Sequence, residues 1–263
     1  TGVHGLVTVQ ENTTYADEME QVKGVELNTG WTTPFFAKDR SEDKVILEDC
    51  KIFITSHKLQ NSAQLGLIEN ALKPLIKSGT PLLVIASSVE GSFLTNLIAN
   101  NKAGQLTNCA IRPPYWGTVR KEFFTDLAAM TGATIIEADN GDKLEALRTE
   151  HLGTAKRVEV SALKTIIIDG GGHPDVVKDR VLYLENKAKE VKKENDLDKV
   201  YERLAKLKQG ITIIKVRRES QIETEERKHR IEDAINACKA ALEEGYVPGG
   251  GAALAQCVGE LDA

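Results

Sequence analysis

Residues 81–101 read PLLVIASSVEGSFLTNLIANN. The run at residues 82–86 is apolar and follows a proline, which is typical of a buried β-strand. Residues 91–101 then space their apolar side chains at helical intervals. A strand that leads directly into a helix predicts a mixed α/β fold.

The alternation of strand and helix patterns continues on both sides of this segment. Helical spacing recurs at residues 61–77 and at residues 119–131. Short runs rich in β-branched residues, bounded by turn residues, predict further strands. These runs are residues 6–9, 45–47, 51–54, 134–136, 158–160, 165–168 and 211–216.

Charged helices dominate the last third of the sequence. Residues 174–207 predict a helical pair joined by a turn at Asn195 and Asp196. A last long helix is expected at residues 222–244, where Gly245 is placed to end it in the left-handed conformation.

Composition excludes several classes of protein. The 263 residues are 41% hydrophobic and 28% charged, so the chain can bury a core. The net charge is −5 and basic residues are dispersed among acidic ones, so we expect no nucleic-acid partner. The longest apolar run in a predicted strand, residues 82–86, is far shorter than the roughly 20 residues that a membrane helix needs. We therefore expect a soluble protein with no membrane partner.

Cysteine and histidine positions predict no metal site. Cys50, Cys109, Cys238 and Cys257 are isolated, and the 5 histidines show no ligand spacing. A reducing compartment fits this usage best. The first five residues do not resemble a secretory signal. Both ends look cut, so we expect a fragment of a longer protein.

The most specific motifs lie near the end of the sequence. They are RIEDAINA at residues 230–237, AALEEG at residues 240–245 and VPGGGAAL at residues 247–254. Earlier motifs in matching order are GLVTV (5–9), PFF (34–36), PLLVIA (81–86), VEG (89–91), LGTAKR (152–157), IIDG (167–170) and ERLAKL (202–207). Over essentially the whole chain, these motifs resemble the group I chaperonins, the ATP-driven protein-folding rings.

The resemblance implies an α/β chaperonin apical domain, with mixed sheets flanked by helices, plus a discontinuous intermediate domain. Residues 23–210 would form the apical, polypeptide-binding domain, and residues 1–22 and 211–244 the two parts of the intermediate domain. Residues 245–263 would begin a truncated equatorial, nucleotide-binding domain. Gly24 and Gly210 would be hinges, because glycine absorbs the rotation of a swinging domain.

The resemblance also assigns residues to ATP hydrolysis. Asp233 matches the family's catalytic aspartate, which positions the attacking water; by itself it is one carboxylate on the polar side of a helix. Gly249 and Gly250 would let backbone N–H groups approach a phosphate, although glycines after a proline are commonly a plain turn. No P-loop motif occurs, so the chain is not a P-loop enzyme.

An apolar groove for polypeptide follows from the same resemblance. A groove of this kind accepts many sequences, because the hydrophobic effect is non-directional. For any single apolar residue, core packing explains the pattern better; the set as a whole favours a groove. The assigned residues are Trp31, Thr33, Phe35, Phe36, Glu69, Leu72, Leu94, Ile98 and Ala99.

The sequence departs from the family in several places. Thr29 and Gln221 stand where many members have an arginine and a glutamate that bridge the apical and intermediate domains. Residues 113–117 read PPYWG in place of a more usual APGFG, and Ser87 and Ser88 replace a Glu-Asp pair. We therefore expect a divergent member in which allosteric coupling is altered.

The function implied is that of an ATP-dependent chaperonin subunit. Its cofactors would be ATP and Mg in the full-length protein, with none expected in this fragment, which alone would be inactive as an enzyme. Its partners would be unfolded polypeptide clients, a co-chaperonin lid and other subunits of a ring. The alternatives are a stand-alone polypeptide-binding module without ATPase, and a small α/β phosphate-handling enzyme. The sequence near residue 248 resembles plastid relatives, so we expect the plastid stroma, ahead of a bacterial cytoplasm or a mitochondrial matrix.

Overall fold

The computed structural model describes residues 6–12, 14–37, 44–113, 115–191, 194–208, 210–217 and 220–257. Within these residues the chain forms eight strands and seven α-helices. The strands are β1 (Leu6–Glu11), β2 (Glu18–Leu27), β3 (Lys44–Leu59), β4 (Leu82–Val89), β5 (Asn108–Ile111), β6 (Gly153–Ser161), β7 (Thr165–Gly170) and β8 (Gly210–Val216). The helices are α1 (Ser62–Ser78), α2 (Gly91–Lys102), α3 (Gly117–Thr131), α4 (Pro174–Glu190), α5 (Glu194–Lys208), α6 (Gln221–Glu244) and α7 (Ala252–Gln256).

The chain divides into two compact units. Unit 1 comprises Thr1–Gln21 and Ile211–Ala263, and unit 2 comprises Val22–Gly210. Unit 2 is therefore continuous in sequence, whereas unit 1 is assembled from the two ends of the chain. Strand β2 passes from unit 1 into unit 2.

Unit 2 is built on a mixed sheet with the strand order β2-β7-β6-β3-β4-β5. Strands β3, β4 and β5 run parallel, whereas β2, β7, β6 and β3 pair antiparallel. All eight residues of β4 are buried, as expected for a central parallel strand with both faces covered. The apolar run at residues 82–86 lies within this strand.

Helices α1, α2 and α3 surround the core of unit 2. Helix α1 begins at a capping box between Asn61 and Gln64 and ends at Gly79, whose φ of 69° is the left-handed conformation that favours glycine. Helix α2 packs against α1 and β5, and α3 packs against β3 and β6. The fully buried Phe53, Phe93 and Phe124 are among the largest side chains of this core.

Helices α4 and α5 form a helical hairpin that packs against α3. Leu184 and Val200 join the two helices in a small apolar cluster of their own. The hairpin therefore has an apolar cluster that is separate from the main core of unit 2.

Unit 1 pairs β1 with β8 in parallel, from Leu6 opposite Ile211 to Glu11 opposite Val216. Helix α6 packs against β1. Ser220 caps α6 through a capping box with Glu223. None of the helices within the described residues is both long and apolar enough to cross a bilayer.

The fold class predicted from the sequence is confirmed, and several local predictions are corrected. Residues 45–47 and 51–54 belong to one strand, β3. The expected strand at 134–136 is wrong, because only an isolated bridge joins Ile136 to Thr55. Strands β2 and β5 were not predicted.

Two predictions about helix ends are also corrected. Asn195 and Asp196 lie inside α5 and do not form the turn of the hairpin. Gly245 follows α6 with a φ of 82° and a ψ of −166°, which is an extended conformation with positive φ and not the left-handed helical one.

Candidate functional site

The first candidate site begins at a short 3-10 helix, Pro34–Phe36, in unit 2. The side chain of Thr33 caps this helix by accepting a hydrogen bond from the Phe35 backbone N–H, at 3.4 Å. Trp31, which is half-buried, bridges to Ile111 at the end of β5. The side-chain amide of Asn101 on α2 donates to the Phe36 carbonyl, at 2.9 Å, and so connects α2 to the 3-10 helix.

The two phenylalanines of this helix have opposite environments. Phe35 is 46% exposed, whereas Phe36 is 1% exposed and belongs to the core. The ammonium group of Lys102 lies 5.1 Å from the centre of the Phe35 ring. Phe35 is therefore available to a partner, and in this structure Phe36 is not.

Helices α1 and α2 contribute the remaining residues of the expected groove. Leu72 is buried in the core. Leu94 and Ile98 pack against the core while staying partly exposed, and Ala99 is exposed. Phe36 and Leu72 are therefore buried, whereas Phe35 and Ala99 are exposed and Leu94 and Ile98 are partly exposed.

Apolar residues that the sequence reasoning did not assign to the groove are exposed on α1. Leu67 is 38% exposed and Ile76 is 43% exposed. Leu67 could not be selected from the sequence, because the sequence does not show which face of α1 is covered. Lys102 was also missed, because its contact with Phe35 joins two elements far apart in sequence.

Glu69 lies on the exposed side of α1, with its carboxylate 3.5 Å from the ammonium of Lys73 one turn later. Both side chains are more than half exposed. Such a pair is held weakly, because water screens both charges. Glu69 therefore carries a charge that Lys73 offsets only in part.

The second candidate site lies in unit 1, on α6 and the loop after it. Asp233 is exposed on α6 and, among the described residues, its carboxylate has no hydrogen-bond or ion-pair partner. Gly249 and Gly250 lie between α6 and α7, and a Cβ added at either would meet no atom within 4 Å. Their backbone is thus open to approach from solvent.

These residues fit part of a nucleotide site. An open glycine backbone can approach a phosphate, and a free carboxylate can orient a water. Among the described residues, no group of three histidine, cysteine, aspartate or glutamate side chains is placed to hold a metal ion. The two features are compatible with a nucleotide but do not by themselves form a complete site.

The two glycines expected to be hinges lie close to the boundaries of the units. Gly24 is within β2, opposite Ile168 of β7, and Gly210 is the first residue of β8. Unit 2 begins at Val22 and ends at Gly210.

Positions where the sequence departs from the family have local roles. The hydroxyl of Thr29 donates to the backbone carbonyl of Arg112. The backbone carbonyl of Thr29 accepts a hydrogen bond from the Thr165 hydroxyl, at 2.7 Å. Gln221 is the first residue of α6. Tyr115 packs edge-on against Phe123, while Trp116 is 83% exposed.

The glycine run before His173 is explained by packing. A Cβ on Gly172 would lie 2.0 Å from the Ala129 carbonyl oxygen, so the chain passes α3 too closely for a side chain. His173 is the N-cap of α4, where its Nδ1 accepts from the Asp175 backbone N–H, at 3.3 Å. This segment is therefore a loop that leads into the start of α4.

Comparison with protein families agrees with the mixed α/β architecture and the motifs. Residues 2–263 match the model of the TCP-1/cpn60 chaperonin family. The chain belongs to the TCP-1/cpn60 chaperonin family. Its role is therefore that of a chaperonin in protein folding, within a family that in general consumes ATP, binds substrate polypeptides and assembles into rings.

Proposed function

We propose that this chain supplies the client-binding and hinge regions of an ATP-dependent group I chaperonin subunit. Unfolded polypeptide binds at the surface formed by Phe35, Leu94, Ile98 and Ala99, with Trp31 and Thr33 beside it and Glu69 at its rim. The observation that carries this proposal is the group of uncovered apolar side chains on the 3-10 helix, α1 and α2. Phe35 is 46% exposed, Ala99 is exposed, and Leu94 and Ile98 are partly exposed.

Buried residues have a supporting role in this proposal. Phe36 and Leu72 form the floor on which the exposed residues rest, and they contribute by fixing the positions of the two helices. The hydrophobic effect is non-directional, and client sequences vary. The exposed surface therefore binds clients through its apolar area more than through specific hydrogen bonds. A co-chaperonin lid would use the same surface.

The division into units supports the proposed domain plan. Unit 2, Val22–Gly210, corresponds to the proposed apical domain at residues 23–210. Unit 1 corresponds to the proposed intermediate domain at residues 1–22 and 211–244, followed by the start of an equatorial domain at residues 245–263. Gly24 and Gly210 are the proposed hinges.

In the complete subunit, α6 would present Asp233 to the nucleotide. The Asp233 carboxylate would orient the attacking water, and the backbone N–H groups of Gly249 and Gly250 would hold phosphate oxygens. Bound ATP with Mg supplies the phosphoanhydride bond whose hydrolysis drives the folding cycle. The exposure of Asp233 supports this role, because a carboxylate with a partner of its own would be less free to hold water.

Client binding is tested with the 263-residue chain and a denatured fluorescent client. Leu94→Ser weakens binding by about tenfold, the value of one apolar side chain of this size. Ile46, which is 47% exposed on β3, provides a matched control, and Ile46→Ser leaves affinity unchanged. Equal affinity of the Leu94→Ser variant and the parent would disprove the proposed surface.

Hydrolysis is tested in a complete subunit that contains this sequence. Asp233→Ala slows ATP turnover by at least about 100-fold while ATP binding stays nearly normal, because a positioning group and not a binding contact is removed. Glu243→Ala, at an exposed position of the same helix, is the control. Normal turnover by Asp233→Ala would rule out its catalytic role, whereas absence of turnover in the complete parent subunit would favour a polypeptide-binding module without ATPase.

A further inference from the structure

Asn101, near the C-terminal end of α2, uses both ends of its side-chain amide in hydrogen bonds to backbone groups. Its Nδ2 donates to the Phe36 carbonyl, at 2.9 Å, and its Oδ1 accepts from the Asn108 backbone N–H, at 3.2 Å. A backbone carbonyl can only accept and a backbone N–H can only donate, so these two partners fix which way the amide points. Asn101 therefore joins three elements, which are α2, the 3-10 helix at Pro34–Phe36 and the start of β5.

The β5 end of this connection is firmly held. Asn108 is fully buried, and its side-chain amide donates to the backbone carbonyls of Leu97 and Leu106, at 3.1 and 2.8 Å. Leu97 belongs to α2, so the start of β5 and α2 are held together independently of Asn101. The acceptor oxygen of Asn101 is thus anchored, and its donor nitrogen is the group that holds the 3-10 helix.

The chain on either side of the 3-10 helix is held by different elements. On the N-terminal side, the backbone N–H and the hydroxyl of Thr32 both donate to the Ala110 carbonyl of β5, at 2.9 and 3.2 Å. On the C-terminal side, the Phe36 ring is buried in the core. Within the described part of the chain, the bond from Asn101 to Phe36 is the one hydrogen bond between α2 and the 3-10 helix.

This third attachment fixes the rotation of the helix. Two attachments, at Thr32 and at the Phe36 ring, leave a short segment free to turn about the line that joins them. Phe35 lies between these attachments and its ring is 46% exposed, so such a turn would move it. The bond from Asn101 stops the turn and holds the ring beside the ammonium of Lys102, which lies 5.1 Å from the ring centre.

We propose that Asn101 is a positioning residue for client binding, because its amide fixes the place at which Phe35 meets a client. This inference rests on the client surface proposed above. Asn101 acts through Phe35 and not by touching the client. A ring that is already held in place loses less freedom when a client binds, and the affinity is correspondingly higher.

Asn101→Asp tests the donor alone, because the carboxylate still accepts from Asn108 but presents an oxygen to the Phe36 carbonyl. It weakens the binding of a denatured fluorescent client to the 263-residue chain by about threefold, the value of one ordinary hydrogen bond. Gln105→Glu, the same amide-to-carboxylate change at an exposed residue just beyond α2, is the matched control and leaves affinity unchanged. Equal affinity of Asn101→Asp and the parent would overturn the proposal.

A double-mutant cycle separates positioning from a general loss of structure. In a Phe35→Ala background, Asn101→Asp has no further effect on client affinity, because the ring that it positions is gone. An equal loss in both backgrounds would show that Asn101 does not act through Phe35, and the positioning role would be wrong while the client surface stands. If Phe35→Ala alone binds the client as tightly as the parent does, the client surface is wrong at Phe35 and the positioning role falls with it.

The NMR signals of the Lys102 ε-methylene protons report the position of the Phe35 ring without any client, because an aromatic ring displaces the signals of protons near its face. Asn101→Asp reduces this displacement, and Gln105→Glu preserves it. A displacement that is unchanged in Asn101→Asp would show that the ring has not moved and would overturn the proposal. Should Asn101→Asp unfold, as judged by thermal melting, Asn101→Ala is measured in the same three ways and decides.

Discussion

Arg203 on α5 and Asp126 on α3 form an ion pair with two contacts, in which Nε lies 2.6 Å from Oδ2 and Nη2 lies 3.0 Å from Oδ1. Their side chains are only 13% and 10% exposed. The planar guanidinium matches a carboxylate in this two-point geometry. The pair joins the helical hairpin to the main core of unit 2 across 77 residues of sequence.

Removing Asp126 should therefore destabilise unit 2 strongly. Asp126→Ala leaves Arg203 and Arg180 with Glu122 as their one remaining carboxylate partner in a largely buried place, and we expect a loss of about 3 kcal/mol in the free energy of unfolding. Urea denaturation followed by circular dichroism measures it. Asp139→Ala breaks an exposed pair with Lys121 and should cost much less, because water screens both charges. Equal losses for the two variants would show that the buried pair contributes no more to the free energy of unfolding than the exposed pair does.

Glu122 makes the same cluster sensitive to acid. Burial by itself would raise the pKa of the Glu122 carboxyl, but hydrogen bonds from Lys187 and Arg203 and the charges of Arg203 and Arg180 outweigh it and lower the pKa from 4.5 to about 2. Since the folded-state pKa is the lower one, Glu122 contributes stability above about pH 4.5, which is lost as the pH falls toward 2. The full contribution is on the order of 2 to 3 kcal/mol.

Comparing unfolding free energies at pH 6 and pH 3 tests this linkage. Glu122→Gln should be less stable than the parent at pH 6 and should lose less stability on acidification, because it has no carboxyl to protonate. Glu190→Gln, at an exposed position of α4, should keep the pH dependence of the parent. If the parent and Glu122→Gln lose the same amount of stability between pH 6 and pH 3, protonation of Glu122 does not cause the acid sensitivity.

Phe35 and Phe36 should separate binding from stability. Phe36→Ala removes a fully buried ring, and we expect a loss of about 3 to 5 kcal/mol in unfolding free energy. Phe35→Ala should cost only about 1 kcal/mol, mostly its contact with Lys102, while weakening the binding of a denatured client. Thermal melting and client titration of both variants measure these effects. If Phe35→Ala binds client as well as the parent does, Phe35 is not part of the binding surface.

Glu69 should favour clients that carry basic residues beside apolar ones. A rim carboxylate repels acidic segments, but Lys73, 3.5 Å away, offsets part of its charge. We therefore expect a preference of about two- to fivefold between peptides of equal hydrophobicity and opposite charge, fading as salt rises.

Glu69→Leu should abolish this preference, and Lys73→Leu should increase it, because the carboxylate then loses its neighbour. Titrations at low and high ionic strength check both variants. Discrimination that is unchanged in Glu69→Leu would place Glu69 away from the bound client.

Several parts of the fold could be predicted from the sequence. Strand β4 and helix α2 were found because their patterns are contiguous and strong. The expected strand at residues 134–136 failed because a strand requires a partner edge, and only Thr55 bridges to Ile136. Strand β2 was missed because much of it is charged and exposed. Strand β5 has only four residues, too few to show a period.

The sequence by itself determined the α/β class, the family and the residue types available for client and nucleotide, because motifs and periodicity are properties of the chain in order. The sequence could not show that Phe36 and Leu72 are buried while Phe35 and Leu94 are at least partly exposed. An apolar residue looks the same in the sequence whether or not a neighbour covers its side chain. The sequence also could not pair Glu122 with Arg203, which are 81 residues apart. Only the tertiary structure decided these points, because burial and ion pairing depend on which elements meet in space.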